Sequence, residues 1–156
     1  MKNMILMAAG MTMLLGARTG EASSWTSGNA CSTELATIPT SVSINPWGAT
    51  NSSASPIGVN CPLADATGGV TKITMLAYDR STATDVCCTI SGFDTAGAFV
   101  PGPTLCTTGG FPGASLQIVS MAVPSSNARI WTAHCTLPAV VAGAGGYSHV
   151  VAIGLQ

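Results

Sequence analysis

The chain has 156 residues with a formal net charge of −1, and only 7% of its residues are charged and 5% aromatic. This length suits one domain with its own core and is short for two. Because the chain has no basic excess, it lacks the electrostatic signature of proteins that bind phosphate backbones, and we expect no nucleic-acid partner. With few aromatic residues to fill a core, the six cysteines become candidates for covalent stabilisation.

Residues 1–22 have the layout of a secretory signal peptide. A basic residue precedes an apolar run over residues 4–15, and small residues around position 21 give the pattern of a cleavage site. The run is too short to span a membrane as a helix. We expect cleavage after Ala22, with cleavage after Ala17 or a retained first helix as the alternatives. The sequence thus predicts a domain over residues 23–156 without a membrane anchor.

Export places all six cysteines in an oxidising compartment, extracellular or periplasmic, where disulfides persist. Removal of residues 1–22 leaves three basic and five acidic residues, a net charge of −2. They are Lys72, Arg80 and Arg129 against Glu34, Asp65, Asp79, Asp85 and Asp94.

The first part of the domain consists of short strand patterns separated by turns. Residues 23–30 are polar around a single tryptophan and predict a mobile N-terminal segment. Residues 34–44 alternate loosely, and the proline within them restricts this strand to a sheet edge. The Asn45-Pro46-Trp47-Gly48 sequence predicts a turn, residues 51–56 a loop, and residues 57–63 a short strand.

The run over residues 70–90 predicts a β-hairpin around which the rest of the domain is organised. Apolar side chains recur at every second position of residues 73–77, which is the alternation of a half-buried strand. Residues 79–85 reverse the chain, and a second strand rich in β-branched residues follows. Because neighbours on a strand point to opposite faces, Cys87 and Cys88 must look in opposite directions.

The second part of the domain repeats this pattern. Brief strands are predicted at residues 98–100 and 104–107, and longer ones over residues 116–123, 127–137 and 147–155. No helical period persists, and turn signals recur every eight to twelve residues or so. This spacing indicates an all-β sandwich or barrel.

Four parts of the sequence resemble, in order and spacing, a widespread group of secreted bacterial proteins. They are residues 47–51 followed by Val59-Asn60-Cys61-Pro62-Leu63, residues 70–81 ending in Tyr78-Asp79-Arg80-Ser81, the strand Val86-Cys87-Cys88-Thr89-Ile90, and residues 130–138 ending in His134-Cys135-Thr136-Leu137-Pro138. The resemblance implies a single antiparallel, jelly-roll-like β-sandwich and no catalytic residue. It also implies one cysteine at each of Cys31, Cys61, Cys88 and Cys135, so that Cys87 and Cys106 depart from the pattern as an additional pair.

We expect three disulfides within the chain, namely Cys31–Cys61, Cys88–Cys135 and Cys87–Cys106. Cys88 shares a strand face with Val86, and Cys135 shares one with Trp131, so both are predicted to point into the core and meet there. Cys87 then faces outward, and Cys106 is its nearest remaining partner in the sequence. A vicinal Cys87–Cys88 bridge is the alternative.

Trp47 and Tyr78 lie at turns in an aromatic-poor chain, which makes them candidates for stacking on a sugar or another flat ligand. Together with Asp79 they form the ligand site that the sequence predicts. The alternative is that they are ordinary turn residues.

Other residues are candidates for metal binding or hydrolysis. The turn aspartates Asp65, Asp79, Asp85 and Asp94 have the oxygen ligands that calcium prefers, although aspartate also favours turns for structural reasons. Two histidines, His134 and His149, would approach each other for metal binding if their strands paired. A glycosidase needs two carboxylates that face one cleft, and Asp79 and Asp85, which flank one turn, are the candidates for such a pair. We expect no cofactor other than this calcium.

The leading hypothesis is an exported, non-enzymatic protein that binds a carbohydrate or a cell-surface component, or forms part of a surface structure. A subunit of an extracellular filament or coat is the first alternative, since an uncovered sheet edge can accept a strand from a second copy. A small secreted hydrolase is the second alternative.

Overall fold

The computed structural model describes residues 24–33, 42–63, 69–109, 115–123, 127–140 and 146–156. Within these ranges the chain forms eleven strands and one short 3₁₀ turn, Gly28–Ala30. The strands are β1 (Ser24–Ser27), β2 (Ser32–Thr33), β3 (Val42–Asn45), β4 (Gly48–Asn51), β5 (Ile57–Pro62), β6 (Lys72–Tyr78), β7 (Cys87–Phe93), β8 (Phe99–Cys106), β9 (Gln117–Ala122), β10 (Ile130–Leu137) and β11 (His149–Leu155). The predicted signal peptide, Asp65 and most of the strand expected over residues 34–44 lie outside the described residues.

The strands form two antiparallel sheets with the hydrophobic core between them. The first sheet has the order β3-β4-β11-β6-β9, and β1 pairs with the C-terminal half of β11. The second sheet has the order β2-β5-β10-β7-β8. This arrangement confirms the predicted fold class, an antiparallel β-sandwich stapled by disulfides.

Alternate side chains of both sheets fill the core. On β6, Ile73, Met75 and Ala77 are fully buried, as their spacing predicted. On β10, Trp131 and Cys135 point inward, and Trp131 is the largest of the fully buried side chains. Burial of each large apolar side chain stabilises the fold by roughly 1.5–3 kcal/mol. These inward-facing side chains therefore hold the two sheets together.

The three disulfides join the pairs expected from the sequence: Cys31–Cys61, Cys87–Cys106 and Cys88–Cys135. Cys88 is fully buried and paired in register with Cys135, whereas Cys87 is partly exposed opposite Cys106 on the outer face. A vicinal bridge is therefore excluded. All three disulfides connect neighbouring strands or their flanks in the second sheet.

The prediction of a β-hairpin over residues 70–90 is wrong. Its two strands exist, but β6 lies in the first sheet and β7 in the second. The residues between them cross from one sheet to the other, and within this crossing the buried Asp79 accepts a hydrogen bond from the Val86 backbone N–H.

Two further predictions on local structure are corrected. The N-terminal segment is a strand, with Ser24–Ser27 paired to β11 and the Trp25 ring lying over Gly154, where an added Cβ would come within 2.9 Å of it. The two brief strands predicted after residue 97 are one strand, β8, with a register shift opposite Thr89/Ser91. Its two prolines are tolerated because β8 is a sheet edge.

Strand β11 confirms the final predicted strand and contains an irregularity. Its register against β6 shifts between Val150 and Ala152, so Val150 and Ile153 both point into the core. The bulge leaves His149 on the outer face, next to the turns described below. Within the described residues, no helix has the length and apolar character to cross a membrane.

Candidate functional site

Trp47 projects from the tip of the β3–β4 hairpin. Asn45 pairs with Gly48 across the turn, and the Asn45 Oδ1 atom accepts a hydrogen bond from the Trp47 backbone N–H at 2.9 Å. Gly48 has a φ of 124°, and an added Cβ would lie 1.9 Å from the Val150 carbonyl oxygen. Only glycine fits this position. The turn is therefore held against β11 while the indole ring itself is 77% exposed.

His149 lies beside this hairpin, at the start of β11. It pairs with Thr50 on one side and Tyr78 on the other, and its ring centroid is 4.7 Å from that of Tyr78. The His149 Nδ1 atom is 3.2 Å from the Tyr147 carbonyl oxygen. A carbonyl can only accept, so Nδ1 carries the proton in this hydrogen bond and Nε2 of the neutral ring is left as an acceptor.

Burial lowers the pKa of His149 below the ordinary value of 6.5, and the nearby Arg80 guanidinium lowers it further. The hydrogen bond to Tyr147 acts in the opposite direction without reversing the shift. His149 is therefore neutral near pH 7.

These side chains surround a concave surface of about 390 Å³ on the outer face of the first sheet. We call it the Trp47 groove; it is lined by Asn45, Trp47, Thr50, Arg80, Gly146, Tyr147 and His149. Tyr147 is 48% exposed, so two aromatic rings face solvent here. Of the predicted site residues, Trp47 lines the groove directly, and Tyr78 supports it by packing on the His149 ring.

Asp79 lies beneath the groove. It is fully buried, and its Oδ1 atom accepts hydrogen bonds from the Ser81 N–H at 2.9 Å and the Ser148 hydroxyl at 3.1 Å. Its Oδ2 atom accepts from the Thr107 hydroxyl at 2.6 Å and the Val86 N–H at 3.4 Å. Asp79 thus positions the chain around it and does not face a ligand.

The structure argues against the predicted glycosidase pair and against the two-histidine metal site. Asp79 is buried while Asp85 is exposed and accepts a hydrogen bond from the Gly109 N–H, so they do not face one cleft as glycosidase carboxylates must. His134 and His149 belong to different sheets, so the two-histidine site is wrong. Among the residues described, no group of three histidine, cysteine or acidic side chains is placed to hold a metal ion.

A second groove, of about 620 Å³, opens between the edge strands β8 and β9. Its walls are largely apolar, with Pro101, Pro103, Met121 and Val123 among them and Trp131 at its base. Sequence reasoning missed this groove, because the two edge strands belong to different sheets.

The Trp47 groove combines exposed aromatic faces with a polar rim. Arg80 supplies N–H donors, Thr50 and Asn45 supply short polar side chains, and His149 Nε2 supplies an acceptor. Such a surface suits a flat ligand that is apolar on one face and hydroxylated at its edge. Arg80 was not predicted to line a site, and His149 was predicted only as a metal ligand, because the segments that hold these residues meet only when β4, β11 and β6 pair.

No family model matches the sequence, and no curated protein matches it either. Among solved structures, a family 6 carbohydrate-binding module aligns over 85% of this chain and 92% of its own, with a TM-score of 0.52 and 14% identity. The enzymatically active domain of the bacteriophage CBA120 tailspike protein 4 aligns over 86% of this chain and 18% of its own, with a TM-score of 0.40 and 10% identity. TmCBM61, solved with β-1,4-galactotriose, aligns over 86% of this chain and 83% of its own, with a TM-score of 0.36 and 11% identity. The similarity to the family 6 carbohydrate-binding module is a similarity of fold.

Proposed function

We propose that this protein is an exported, non-enzymatic carbohydrate-binding domain and that the Trp47 groove is its binding site. The observation that carries the proposal is the Trp47 ring, which is 77% exposed at the tip of a turn fixed by Asn45 and Gly48. The ring does not stand alone, because the half-exposed Tyr147 and the polar Arg80 line the same concave surface, and aromatic rings beside a few polar groups are typical of ligand sites. The three disulfides support export to an oxidising compartment.

The physical basis for sugar binding is the match between a pyranose ring and the groove. The C–H face of a sugar can stack on the Trp47 or Tyr147 ring, while its hydroxyl groups reach the polar rim. Because a hydrogen bond and close packing against Val150 hold the β3–β4 turn without a ligand, its backbone does not have to be ordered on binding. The fold shared with a carbohydrate-binding module supports this proposal at the level of architecture.

The test is a glycan array followed by calorimetry on the best ligand. Trp47→Ala should weaken binding by at least about tenfold, the equivalent of about 1.4 kcal/mol. Its thermal stability should change little, because the ring is exposed. The matched control is Phe99→Ala, which removes a ring that is 63% exposed on the second sheet and should leave the affinity unchanged. An equal loss of affinity in both variants, or unfolding of Trp47→Ala, would contradict the proposal.

Strand β9 favours a second candidate function, self-assembly. It is an edge of the first sheet, its residue Ile118 is 68% exposed, and it contains no proline. Such an edge can pair with a strand of another copy. If copies assemble through β9, Ile118→Lys should convert particles seen by electron microscopy and light scattering into monomers. A wild-type protein that stays monomeric at high concentration would exclude this candidate.

A further inference from the structure

Trp25 forms a flat aromatic surface, here called the Trp25 platform, on the outer face of the first sheet. It pairs with Gly154, and a Cβ added at that glycine would lie 2.9 Å from each of the indole atoms Cδ2, Cε2 and Cε3. A point equally distant from these three adjacent atoms lies on the axis through the centre of the six-membered ring. The ring therefore lies flat over Gly154, and its opposite face is turned to solvent, with the residue 45% exposed.

The core of the sandwich supports the platform from below. Gly154 lies between Ile153 and Leu155, which are both buried in the core, so its backbone is held in place. On the side away from β1, Gly154 pairs with Thr74, whose hydroxyl is 2.9 Å from that of Ser120. The fold thus presents a fixed ring face and, in the same row across the sheet, a pair of hydroxyl groups.

Strand β11 connects the Trp25 platform to the Trp47 groove. His149, in the groove, and the glycine under the platform both lie on the outer face of the strand and are five residues apart, which is about 15 Å along a strand with one bulge. Between them lie the small side chains of Ala152 and of Ser27, its partner on β1. The extra residue of the bulge, Val151, is half-buried. One extended ligand can therefore follow β11 from the groove to the platform.

The distribution of the three tryptophans in the chain supports a single binding face. Trp131 is buried in the core, whereas Trp25 and Trp47 are both exposed and both lie on the outer side of the first sheet. Trp and Tyr rings combine a large apolar face with a polar atom, which suits ligands that are apolar on one face and hydroxylated at the edge. Two such rings on one face suit a ligand in which that arrangement is repeated.

Resting on the proposed function, we infer that the ligand is a linear oligosaccharide and that Trp25 is a second stacking position for the same chain. One sugar ring stacks in the Trp47 groove, and another ring further along the chain stacks on the Trp25 platform. The second contact is made by a chain that is already bound, so it adds affinity without a second loss of translational freedom. The platform therefore makes the affinity depend on chain length.

The test titrates a ladder of oligosaccharides, from the monosaccharide to the hexasaccharide of the best sugar on the array, by calorimetry. The wild-type protein should bind the hexasaccharide about tenfold or more tightly than the disaccharide. Trp25→Leu keeps an apolar cover on Gly154 but removes the flat ring, so it should lower the affinity for the hexasaccharide to that for the disaccharide. Trp25→Phe should restore most of the difference.

Two controls separate a lost contact from a damaged fold. Phe99→Leu makes the same kind of change at an exposed ring of the second sheet, and it should leave the affinity for both lengths unchanged. In the wild-type protein, the indole N–H resonance of Trp25 should shift in NMR spectra when the hexasaccharide is added and stay in place with the disaccharide. This measurement decides the question even if Trp25→Leu loosens β1, and an unshifted resonance with the hexasaccharide refutes the inference.

The outcomes distinguish this inference from the proposed function. If both lengths bind equally, Trp25→Leu has no effect and Trp47→Ala abolishes binding, the second stacking position is refuted and carbohydrate binding in the Trp47 groove stands. An equal loss for both lengths in Trp25→Leu also contradicts a role confined to long chains. If no saccharide of any length binds, both proposals are refuted together.

Discussion

Asp79 shows how a single buried carboxylate shapes the site without touching a ligand. Four hydrogen bonds link it to residues of four places in the chain: Ser81 in the same turn, Val86 just before β7, Thr107 just after β8 and Ser148 just before β11. Through Ser148 it fixes the backbone of Arg80. Its position after Tyr78 suggested a surface turn, but the sequence does not show that the chain crosses between sheets at this residue, so its burial could not be predicted.

Replacing Asp79 should therefore destabilise the whole fold. Asp79→Asn removes the charge and introduces an amide N–H toward existing donors, so we expect the free energy of unfolding to fall by about 2–4 kcal/mol. Asp94 is the matched control, because its Oδ1 accepts from Ala96 and Ala98 in an exposed turn. Asp94→Asn should cost less than about 1 kcal/mol. Denaturant titrations that give similar losses for the two variants would contradict this role for Asp79.

His149 should make stability depend on pH. Burial, with the charge of Arg80, lowers its pKa in the folded state below 6.5. As the pH falls below 6.5, the unfolded chain takes up a proton that the folded chain resists, so the free energy of unfolding should decrease. One group contributes at most about 1.4 kcal/mol per pH unit. His149→Gln should flatten this part of the profile measured by denaturation, and an unchanged profile would refute the assignment.

At the scale of elements, the β3–β4 hairpin was the most predictable part of the site. Its turn sequence Asn45-Pro46-Trp47-Gly48 indicated both the reversal and an exposed indole, and the structure shows both. What could not be predicted is its support. Gly28 and Gly48 both approach the Val150 carbonyl oxygen so closely that neither tolerates a Cβ, and this packing depends on contacts between distant segments.

Gly48→Ala should disrupt the hairpin. The added Cβ would lie 1.9 Å from the Val150 carbonyl oxygen, and the backbone would also have to hold a φ of 124° with a side chain present. Gly97 has a φ of 80° but open space around it, so Gly97→Ala measures the backbone strain alone. We expect Gly48→Ala to lose at least about 2 kcal/mol more than this control in thermal or chemical unfolding. Comparable losses would show that the contact with Val150 is unimportant.

The disulfides should differ in how much each contributes to the free energy of unfolding. Cys88–Cys135 closes 47 residues and is buried, whereas Cys87–Cys106 closes 19 and is partly exposed. Chain entropy alone gives about 4 and about 3 kcal/mol, and the buried pair also leaves a cavity when it is removed. Double alanine variants should therefore rank in this order in denaturant unfolding. The reverse order would show that the outer bridge limits unfolding of the sheet edge.

Across the whole molecule, the disulfides and the candidate binding site lie in different sheets. The disulfides cross-link the second sheet, and the first sheet carries the Trp47 groove on its outer face. Alternation of apolar residues predicted the strands, and the opposite faces of Cys87 and Cys88 predicted the disulfide pairs. The sequence could not show which strands are neighbours. It therefore could not show that the pairing of β11 with β4 and β6 brings Arg80 and His149 next to Trp47.

Mapping where a saccharide binds tests directly whether the Trp47 groove is the binding site. Isotope-labelled protein is titrated with the tightest ligand from the array while the backbone and indole N–H resonances are followed by NMR. The largest shift changes should fall on the Trp47 indole and on Arg80, Tyr147 and His149, with the Trp131 indole unaffected. Changes centred instead on Met121, Val123 and Trp131, in the groove between β8 and β9, would contradict the assignment of the binding site.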